Sequence, residues 1–331
     1  RGPAREAQIR ALAPGVVVDE HGTTRLEGGR PVAEGDALVV TTSGTTGEPR
    51  AVVSTHEAVA AAARATSAAL DVDPERDRWL ACLPLAHVGG LSVVTRALIT
   101  GTPLEVHDGV DLERLHDARR RGATLVSLVP TVVARTDVSG FRRVLLGGSA
   151  IPADRPANCV ATYGMTETGG GVVYDGRPLA GVEVAVVDGE IRLRCPMLAR
   201  ADRDGRPLVD ADGWFHTGDG GALVDGVLSV HGRLAEVIVT GGEKVWPDPV
   251  EKVLAEHPGV SEVAVVGRPD PEWGEVVTAV VVPADSASPP RLDELRDLVR
   301  SRLAPWCAPR RLELRSSLPR TALGKIRRHL L

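Results

Sequence analysis

The segment TTSGTTGEPR, residues 41–50, places five hydroxyl side chains, two glycines and an arginine directly after the apolar run at 37–40. Glycine adopts positive φ at little steric cost, so Gly44 and Gly47 allow successive backbone N–H groups to point toward one bound anion. Side chains that can donate to phosphate oxygens follow at Thr42, Ser43, Thr45, Thr46 and Arg50. The segment lacks the glycine and lysine spacing of a P-loop, so the residues alone indicate either a phosphate-binding loop or a polar turn.

Apolar, β-branched runs alternate with amphipathic segments through the first two thirds of the chain, as they do in proteins whose parallel sheet is covered by helices. The predicted buried strands are 37–41, 79–84, 102–107, 123–130 and 142–148, and the predicted helices between them are 56–70 and 110–122. The predicted fold class is therefore α/β. From about residue 181 the runs become short and alternating, which is typical of antiparallel strands.

The last hundred residues have a pattern of their own. The predicted elements are helices at 249–260 and 291–304, with strands between them at 261–269 and 275–283. These elements predict a compact α+β unit. We therefore expect two domains, residues 1–232 and residues 233–331.

Composition and charge exclude several classes of function. The chain has 331 residues, 43% of them hydrophobic, and a net charge of −5, so no basic surface for nucleic acid is indicated. No apolar run reaches the roughly 18 residues that a membrane-spanning helix needs. Residues 1–15 lack the apolar core of a signal peptide, and the four cysteines have no disulfide or zinc-binding spacing. We expect a cytoplasmic protein whose cysteines are reduced.

Five ordered segments resemble the motifs of the adenylate-forming superfamily, which includes acyl-CoA synthetases, luciferases and the adenylation domains of peptide synthetases. They are TTSGTTGEPR (41–50), ATYGMTET (161–168), GWFHTGD (213–219), GRLAEVIVTGGEKVWPDPVE (232–251) and PRTALGKIRR (319–328). The resemblance implies a large N-terminal α/β domain, truncated at its start, and a small mobile α+β C-terminal domain. It also implies an acid–thiol ligase: a carboxylate attacks the α-phosphate of ATP, and coenzyme A (CoA) then displaces AMP.

The resemblance implies a role for individual residues. Those assigned to ATP are Thr42, Ser43, Gly44, Thr45, Thr46, Gly47, Arg50, Tyr163, Gly164, Asp219 and Arg233, and those assigned to catalysis are Lys325, Thr166, Glu167 and His87. Tyr163 would stack on adenine and Asp219 would accept from the ribose hydroxyls, although a core tyrosine and a turn-forming aspartate are the alternatives. Thr166 would contact the α-phosphate, Glu167 would hold Mg²⁺, and Lys325 would neutralise charge at the attacked phosphate.

Two positions depart from the usual pattern of the superfamily. Arg50 takes the place of a lysine, and its fork-shaped guanidinium pairs with phosphate oxygens at a different reach. Ala235 takes the hinge position, where aspartate or lysine is usual, so the polar contacts of those residues are missing. Gly241 and Gly242 follow the hinge and resemble the loop that lines the tunnel for the CoA thiol.

The segment LPLAHVGGLSVVTRALITG, residues 83–101, resembles the part of CoA ligases that borders the acyl pocket. His87 either contacts the substrate carboxylate or only packs beside it. Arg96 interrupts an apolar helical pattern: it either reaches the surface or, if buried, requires an anionic partner such as a second carboxylate on the substrate. The predicted acyl-binding residues are His87, Arg96, Gly148, Ser149, Gly169 and Gly170.

Within the superfamily, this segment and residues 162–184 resemble the compact actinobacterial o-succinylbenzoate–CoA ligases of menaquinone biosynthesis. The acid that those enzymes use carries an aromatic and an aliphatic carboxylate. The aliphatic one is activated, which leaves the aromatic one in need of a positive or hydroxyl-rich cradle. The resemblance thus implies an aromatic acid, ATP and CoA as small-molecule partners, and Mg²⁺ as cofactor.

Two further departures leave other interpretations open. Residues 151–160 lack the helix that relatives carry before the next strand, and only about 36 residues precede the strand before the phosphate loop. Sheet edges left bare by these losses favour a homodimer. The alternatives are a CoA ligase for another aryl or acyl acid, an adenylation unit that loads a carrier protein, and a nucleotide-binding relic without turnover.

Overall fold

A computed structural model of the chain describes residues 3–43, 49–148, 151–152, 154–320 and 326–331. The chain forms two compact units: Arg1–Ala185 with Arg192–His216 and Leu223–Leu228, and Val186–Ile191 with Thr217–Ala222 and Ser229–Leu331. The domain division into 1–232 and 233–331 stays a prediction.

The helices and strands follow one another along the chain in the order that their numbers give. The helices are α1 (Pro3–Leu12), α2 (His56–Ala69), α3 (Val88–Thr100), α4 (Leu112–Arg120), α5 (Pro130–Val133), α6 (Pro247–Leu254) and α7 (Leu292–Arg300). The strands up to residue 178 are β1 (Val16–Asp19), β2 (Gly22–Arg25), β3 (Asp36–Ser43), β4 (Pro49–Thr55), β5 (Trp79–Ala81), β6 (Leu104–Val106), β7 (Leu125–Leu128), β8 (Arg143–Leu146), β9 (Cys159–Met165), β10 (Gly170–Tyr174) and β11 (Arg177–Pro178). The later strands are β12 (Glu183–Val187), β13 (Glu190–Arg194), β14 (Ala201–Asp202), β15 (Phe215–Val224), β16 (Val227–Arg233), β17 (Ile238–Thr240), β18 (Glu243–Val245), β19 (Val260–Asp270), β20 (Gly274–Pro283) and β21 (Arg311–Leu314).

The first unit is built on a seven-stranded sheet of order β11-β10-β9-β8-β7-β5-β6. Strands β5 to β9 pair in parallel, and β10 and β11 add antiparallel pairs at one end. Successive residues of β5 point to opposite faces, as strand geometry requires. Trp79 and Ala81 pack with residues of α2 and α3, whereas Leu80 and Cys82 pack with residues of α4. The predicted parallel sheet covered by helices is confirmed, and the structure shows helices on both of its faces.

The strand before the hydroxyl-rich loop is not part of this parallel sheet, so that prediction was wrong. β3 pairs antiparallel with β4, and β14 extends the same three-stranded sheet. Only five residues, 44–48, connect β3 to β4, and so short a connection permits antiparallel pairing alone, because parallel strands need a crossover of a dozen residues or more. The β-branched run at 51–55 is the part of the sequence that indicates β4.

Short hairpins follow β11, as the alternating pattern predicted. Asp188-Gly189 joins β12 to β13, and Asp225-Gly226 joins β15 to β16. Both residues of each turn have positive φ, with values of 53° and 84° in the first and 50° and 74° in the second. Asp-Gly is the sequence that such two-residue hairpin turns favour.

The second unit contains the predicted α+β elements. β19 and β20 form a long antiparallel hairpin, β17 and β18 continue the sheet beyond β20, and β21 pairs in parallel with β20. Helices α6 and α7 bury Val250, Leu254, Leu295 and Val299 against one face of this sheet. The predicted helices and strands of this unit are thereby confirmed.

Two negative observations concern the described residues only. Residues 151–152 and 154–158, which precede β9, contain no helix. None of the helices that the structure describes is long and apolar enough to cross a membrane.

Candidate active site

Several predicted site residues follow the carboxyl ends of the parallel strands. His87 follows β5 as the N-cap of α3, Gly148 follows β8, and Thr166 follows β9. Carboxyl ends of parallel strands lie at one edge of the sheet, and ligands of open α/β sheets bind along that edge. The topology therefore brings the motif at 161–168, the segment at 83–101 and Gly148 to a common edge.

A hydrogen-bonded turn fixes the backbone that carries Thr166 and Glu167. These two residues and Thr168 form a 3₁₀ turn after β9. The Thr168 hydroxyl, which has no solvent exposure, accepts from the Met165 N–H at 2.9 Å and lies 2.7 Å from the Gly170 carbonyl oxygen. The Thr168 hydroxyl thus hydrogen-bonds to backbone groups of both β9 and β10, and these bonds hold the turn between the two strands in one conformation.

The hairpin of β9 and β10 carries Tyr163 and Gly164. Tyr163 pairs with Val173, and Gly164 pairs with Gly171. A Cβ atom on Gly164 would overlap the backbone of Gly170, so this position requires glycine for the close approach of the two strands. The predicted nucleotide motif therefore depends on a tight backbone contact as well as on its side chains.

The turn at Thr166–Thr168 offers donors that suit magnesium. The Glu167 carboxylate and the Thr166 hydroxyl are hard oxygen donors, and Mg²⁺ beside phosphates needs only one or two protein carboxylates. In the part of the chain that the structure describes, no three His, Cys, Asp or Glu side chains lie together as a metal site. The donor set thus fits an ion that is held jointly with the phosphates of ATP.

Arg96 is buried inside the first unit. It is 5% exposed, and within the described residues its Nε and Nη1 atoms have no hydrogen-bond partner. Its Cζ lies 4.7 Å from the ring centroid of Trp79. Burial lowers the pKa of Arg96, although an arginine remains charged at neutral pH. The alternative of a surface arginine is therefore wrong, and the contact with a substrate carboxylate stays a prediction.

Arg96 lines a cavity together with two predicted site residues, Thr166 and Gly169. The other lining residues are mostly apolar or carry hydroxyls: Leu38, Val40, Ser54, Val59, Ala62, Ala63, Val88, Leu91, Ser92 and Thr95. An apolar wall with one cation and a few hydroxyls is the usual composition of a small-molecule site. His87, Gly148 and Gly170 do not line this cavity, although Val88, the neighbour of His87, does.

The buried hydroxyl of Tyr174 is satisfied by a partner on α2. Its oxygen lies 3.0 Å from Thr66 Oγ1, and both residues are buried. Burial raises the pKa of Tyr174, whereas the positive charge of Arg96 lowers it. The tyrosine is therefore neutral and does not neutralise the guanidinium.

Asp219 and Arg233 form an ion pair in the second unit. Asp219 is 7% exposed, and its Oδ1 lies 3.0 Å from Arg233 Nε. Arg233 Nη1 also donates to the Thr217 carbonyl oxygen at 2.9 Å, and the Asp219 N–H donates to the Thr217 hydroxyl at 3.0 Å. The arginine is thus held beside the carboxylate that was predicted to bind ribose.

The hinge and tunnel positions lie in turns of the second unit. Ala235 is exposed in a 3₁₀ turn, Leu234–Glu236. Gly241 and Gly242 lie between β17 and β18 with φ of 58° and 87°, a region that favours glycine. A Cβ on Gly241 would also come within 2.6 Å of the Trp273 ring, so the turn packs tightly on that indole.

Part of the predicted site has no structural description. Gly44, Thr45, Thr46, Gly47, Ser149 and Lys325 lie outside the described residues, and of Ser43 only the backbone is described. Next to them, Thr42 and Arg50 pair across the β3–β4 hairpin, and Arg50 is exposed.

Sequence reasoning did not identify Trp79 and Arg328 as residues of interest. Trp79 begins a predicted strand, so its position on the α3 face follows only once the sheet register is known. Arg328 lies within the catalytic-lysine motif, where several cations follow one another, and nothing in the sequence distinguishes it from Arg327.

Comparisons with known protein families agree with these motifs. The AMP-binding enzyme family model matches residues 8–197, and the model of the AMP-binding enzyme C-terminal domain matches residues 249–325. A probable 2-succinylbenzoate–CoA ligase of Mycobacterium tuberculosis is 40% identical over 91% of this chain and 85% of its own length. The 2-succinylbenzoate–CoA ligase of Enterococcus faecalis is 33% identical over 89% of this chain and 69% of its own length.

Solved structures resemble the chain in the same way. The o-succinylbenzoate CoA synthetase of Bacillus subtilis, in complex with its acyl-adenylate intermediate, has a TM-score of 0.81 at 30% identity over 89% of this chain and 69% of that chain. The same enzyme with ATP and a magnesium ion also has a TM-score of 0.81, over 93% of this chain and 73% of that chain. The predicted superfamily and fold class are confirmed, and the chain belongs to the AMP-binding enzyme family.

Proposed function

We propose that the chain activates o-succinylbenzoate with ATP, forming the acyl-adenylate and pyrophosphate, and then transfers the acyl group to CoA with release of AMP. This reaction would supply menaquinone biosynthesis. The proposal is supported by the relatives that carry this name and align with about nine tenths of the chain.

The buried Arg96 is the observation that carries the choice of acid. An isolated charge in an apolar interior costs several kcal/mol unless it is paired. The residues that line the cavity are mostly apolar, as suits contact with an aromatic acid, and include only this one cation. A substrate with a second carboxylate, on its ring, would compensate the charge of Arg96. A fatty acid or benzoic acid would not, because its only carboxylate is the one that reacts with ATP.

The chemistry requires stabilisation of negative charge more than it requires a base. When the aliphatic carboxylate attacks the α-phosphate, charge develops on the phosphate oxygens and on the leaving pyrophosphate. Thr166 would donate to the α-phosphate, and Lys325 would supply a positive charge there. Bound Mg²⁺, held by Glu167, would neutralise part of the phosphate charge.

Asp219 and Arg233 would hold the nucleoside. A carboxylate has two acceptor oxygens and so can accept from both ribose hydroxyls. The contact of Arg233 with Asp219 holds that carboxylate in position. The tunnel role of Gly241 and Gly242 and the adenine contact of Tyr163 rest on the motif resemblance.

Location and assembly are finer points of the same proposal. All four cysteines are free thiols, as expected for a reducing compartment such as the cytoplasm. A homodimer stays a prediction, which light scattering of the full chain would test.

Pyrophosphate release with a panel of acids tests the proposal. With Mg·ATP, o-succinylbenzoate should release pyrophosphate much faster than benzoate, 4-oxo-4-phenylbutanoate or a medium-chain fatty acid. Faster release with another acid would replace the substrate and keep the reaction. AMP binding without release for any acid would identify the chain as the nucleotide-binding relic instead.

A further inference from the structure

Arg328 is bound by three carboxylates of the second unit. Its Nη1 lies 2.8 Å from Glu236 Oε2, and its Nη2 lies 2.8 Å from both Asp248 Oδ1 and Glu251 Oε2. The Arg328 side chain is only 18% exposed, so water and salt screen these charge-assisted hydrogen bonds weakly. We call these four residues the Arg328 cluster.

The Arg328 cluster joins segments that are distant in the sequence. Glu236 lies in the hinge turn beside Ala235, and Glu251 lies on α6. Glu251 Oε1 also accepts from the backbone N–H of Val265 in β19 at 2.7 Å. The end of the chain is thus tied to the hinge turn, to a helix and to the central sheet of this unit.

The charge balance makes Arg328 indispensable to this cluster. Three carboxylates surround one guanidinium. Burial and the negative charge of Asp248 raise the pKa of Glu251, whereas the positive charge of Arg328 lowers it. Removal of the arginine would leave like charges close together in a half-buried place, where they repel each other. The carboxylates would then separate, or one would take up a proton.

Backbone contacts just before Arg328 join the chain on either side of residues 321–325, which lie outside the described residues. Arg320 and Ile326 form an antiparallel bridge, and the Arg327 N–H donates to the Pro319 carbonyl oxygen at 2.8 Å. The Arg320 side chain donates to Glu262 at 2.5 Å. These contacts hold together the two ends of the five intervening residues.

Lys325 is the last of those five residues and precedes Arg328 by three positions. We propose that Arg328 is a positioning residue for Lys325 in the adenylation half-reaction, because it fixes the chain just after Lys325 to the hinge turn and α6. Lys325 itself lies outside the described residues, and the three residues of chain that lead from it to Arg328 span at most about 11 Å. The inference rests on the role of Lys325 in the proposed function.

Glu236 also gives the turn that carries Ala235 a charged contact to the C-terminal segment.

Measuring the two half-reactions separately distinguishes a loss of Lys325 positioning from a loss of protein stability. In Arg328→Gln we expect kcat for pyrophosphate release to fall about tenfold or more, that is, about 1.4 kcal/mol in the barrier. KM for ATP and for the acid should stay unchanged, and so should thioester formation from supplied acyl-adenylate and CoA. Lys325→Ala should show the same selective profile, and Arg328→Lys should recover part of the lost rate.

Matched variants guard against misfolding. Arg327→Gln changes the adjacent, exposed arginine and should keep both half-reactions at the wild-type rate. Glu236→Gln removes one of three crowded carboxylates, so it should keep the fold and still lower adenylation selectively. A parallel loss of both half-reactions in folded Arg328→Gln and Glu236→Gln, or no loss in either, would overturn the inference.

A chemical probe gives a readout that does not need turnover. The lysines of the chain are Lys244, Lys252 and Lys325, so acetic anhydride labelling can be followed at each by mass spectrometry. Arg328→Gln should raise the labelling rate of Lys325 severalfold and leave Lys244 unchanged. Wild-type protein that releases no pyrophosphate would refute the proposed function, whereas equal Lys325 labelling in variant and wild type would refute the positioning role.

Discussion

The guanidinium of Arg96 stacks on Trp79, with its Cζ 4.7 Å from the ring centroid, in the interior of the first unit. A cation–π contact of this kind contributes about 0.5–2 kcal/mol, which is less than the cost of burying an unpaired charge. Nε and Nη1 lack hydrogen-bond partners within the described residues, so the stacking alone leaves the group under-compensated. A ligand carboxylate would supply what the protein does not.

Replacement of Arg96 tests this relationship. Arg96→Met should raise KM for o-succinylbenzoate far more than KM for ATP, at a cost of about 2–5 kcal/mol for a buried pair. The substrate analogue 4-oxo-4-phenylbutanoate lacks the ring carboxylate, so its KM should change little. Steady-state pyrophosphate release with both acids measures the difference.

The same variant should not lose stability. Replacing a buried, unpaired charge with an apolar side chain of similar size is often neutral or stabilising, so Tm should stay level or rise. Arg64→Met, which changes an exposed arginine on α2, is the matched control and should leave both KM values unchanged. An equal rise of KM for both acids would mean that Arg96 shapes the cavity without binding the carboxylate.

Asp219 should govern nucleotide affinity. In Asp219→Asn the loss of charge-assisted hydrogen bonds, worth about 1.5–3 kcal/mol, should weaken AMP binding by about ten- to a hundredfold. Calorimetric titration with AMP measures this directly. Asp225→Asn alters an exposed turn aspartate after β15, where asparagine tolerates positive φ, and should bind AMP normally. Equal affinities in the two variants would leave Asp219 as a turn residue.

The pair of Asp77 and Arg142 should make stability depend on acid pH. Asp77 accepts from Arg142 Nε at 2.9 Å and Nη2 at 2.5 Å. Burial alone would raise the pKa of Asp77, but the bonds from Arg142, the Asp73 N–H and Thr124 outweigh it and hold the pKa below its ordinary value. The stabilisation is therefore present above about pH 4 and is lost as pH falls through the lowered pKa.

Asp77→Asn isolates this contribution. Hydrogen bonds to a charged group are worth about 1.5–3 kcal/mol, so the variant should lose a stability of that order at pH 7, toward the lower end because Arg142 is 36% exposed. Urea unfolding at pH 7 and at pH 3 should show the gap between variant and wild type shrinking in acid. A gap that is constant with pH would mean that the charge of Asp77 does not stabilise the fold.

Gly164 should be intolerant of any side chain. Gly164→Ala places a Cβ into the backbone of Gly170, and such overpacking costs about 1–3 kcal/mol, so both Tm and AMP affinity should fall. Gly109→Ala is the control, because a Cβ there meets no atom within 4 Å. Thermal melts of the two variants decide the point, and an unchanged Tm in Gly164→Ala would refute the close strand approach.

The helices and strands were easier to predict from the sequence than the pairing of the strands with one another. Strands β5, β7 and β8 were predictable because buried parallel strands are continuous apolar runs flanked by helical patterns. β3 looked the same in sequence but joins an antiparallel hairpin, and only recognition of β4 after the short loop would have revealed it. Local composition does not specify which strand a given strand pairs with.

Short ordered motifs indicated Thr166 and Asp219 as candidate site residues, and their roles stay predictions. Residues that depend on packing could not be recognised from the sequence. The burial of Arg96 was one of two open alternatives, because a single cation in an apolar helix reads the same whether it faces solvent or the sheet. The partners of Arg328 come from three distant segments, so no local pattern could indicate them.

Product formation by the wild-type chain with Mg·ATP, o-succinylbenzoate and CoA, followed by mass spectrometry, tests the proposed function most directly. We expect o-succinylbenzoyl-CoA, together with AMP and pyrophosphate in equal amounts, and the acyl-adenylate with pyrophosphate when CoA is left out. Absence of both the adenylate and the thioester, under conditions where AMP binds, would contradict the proposed function.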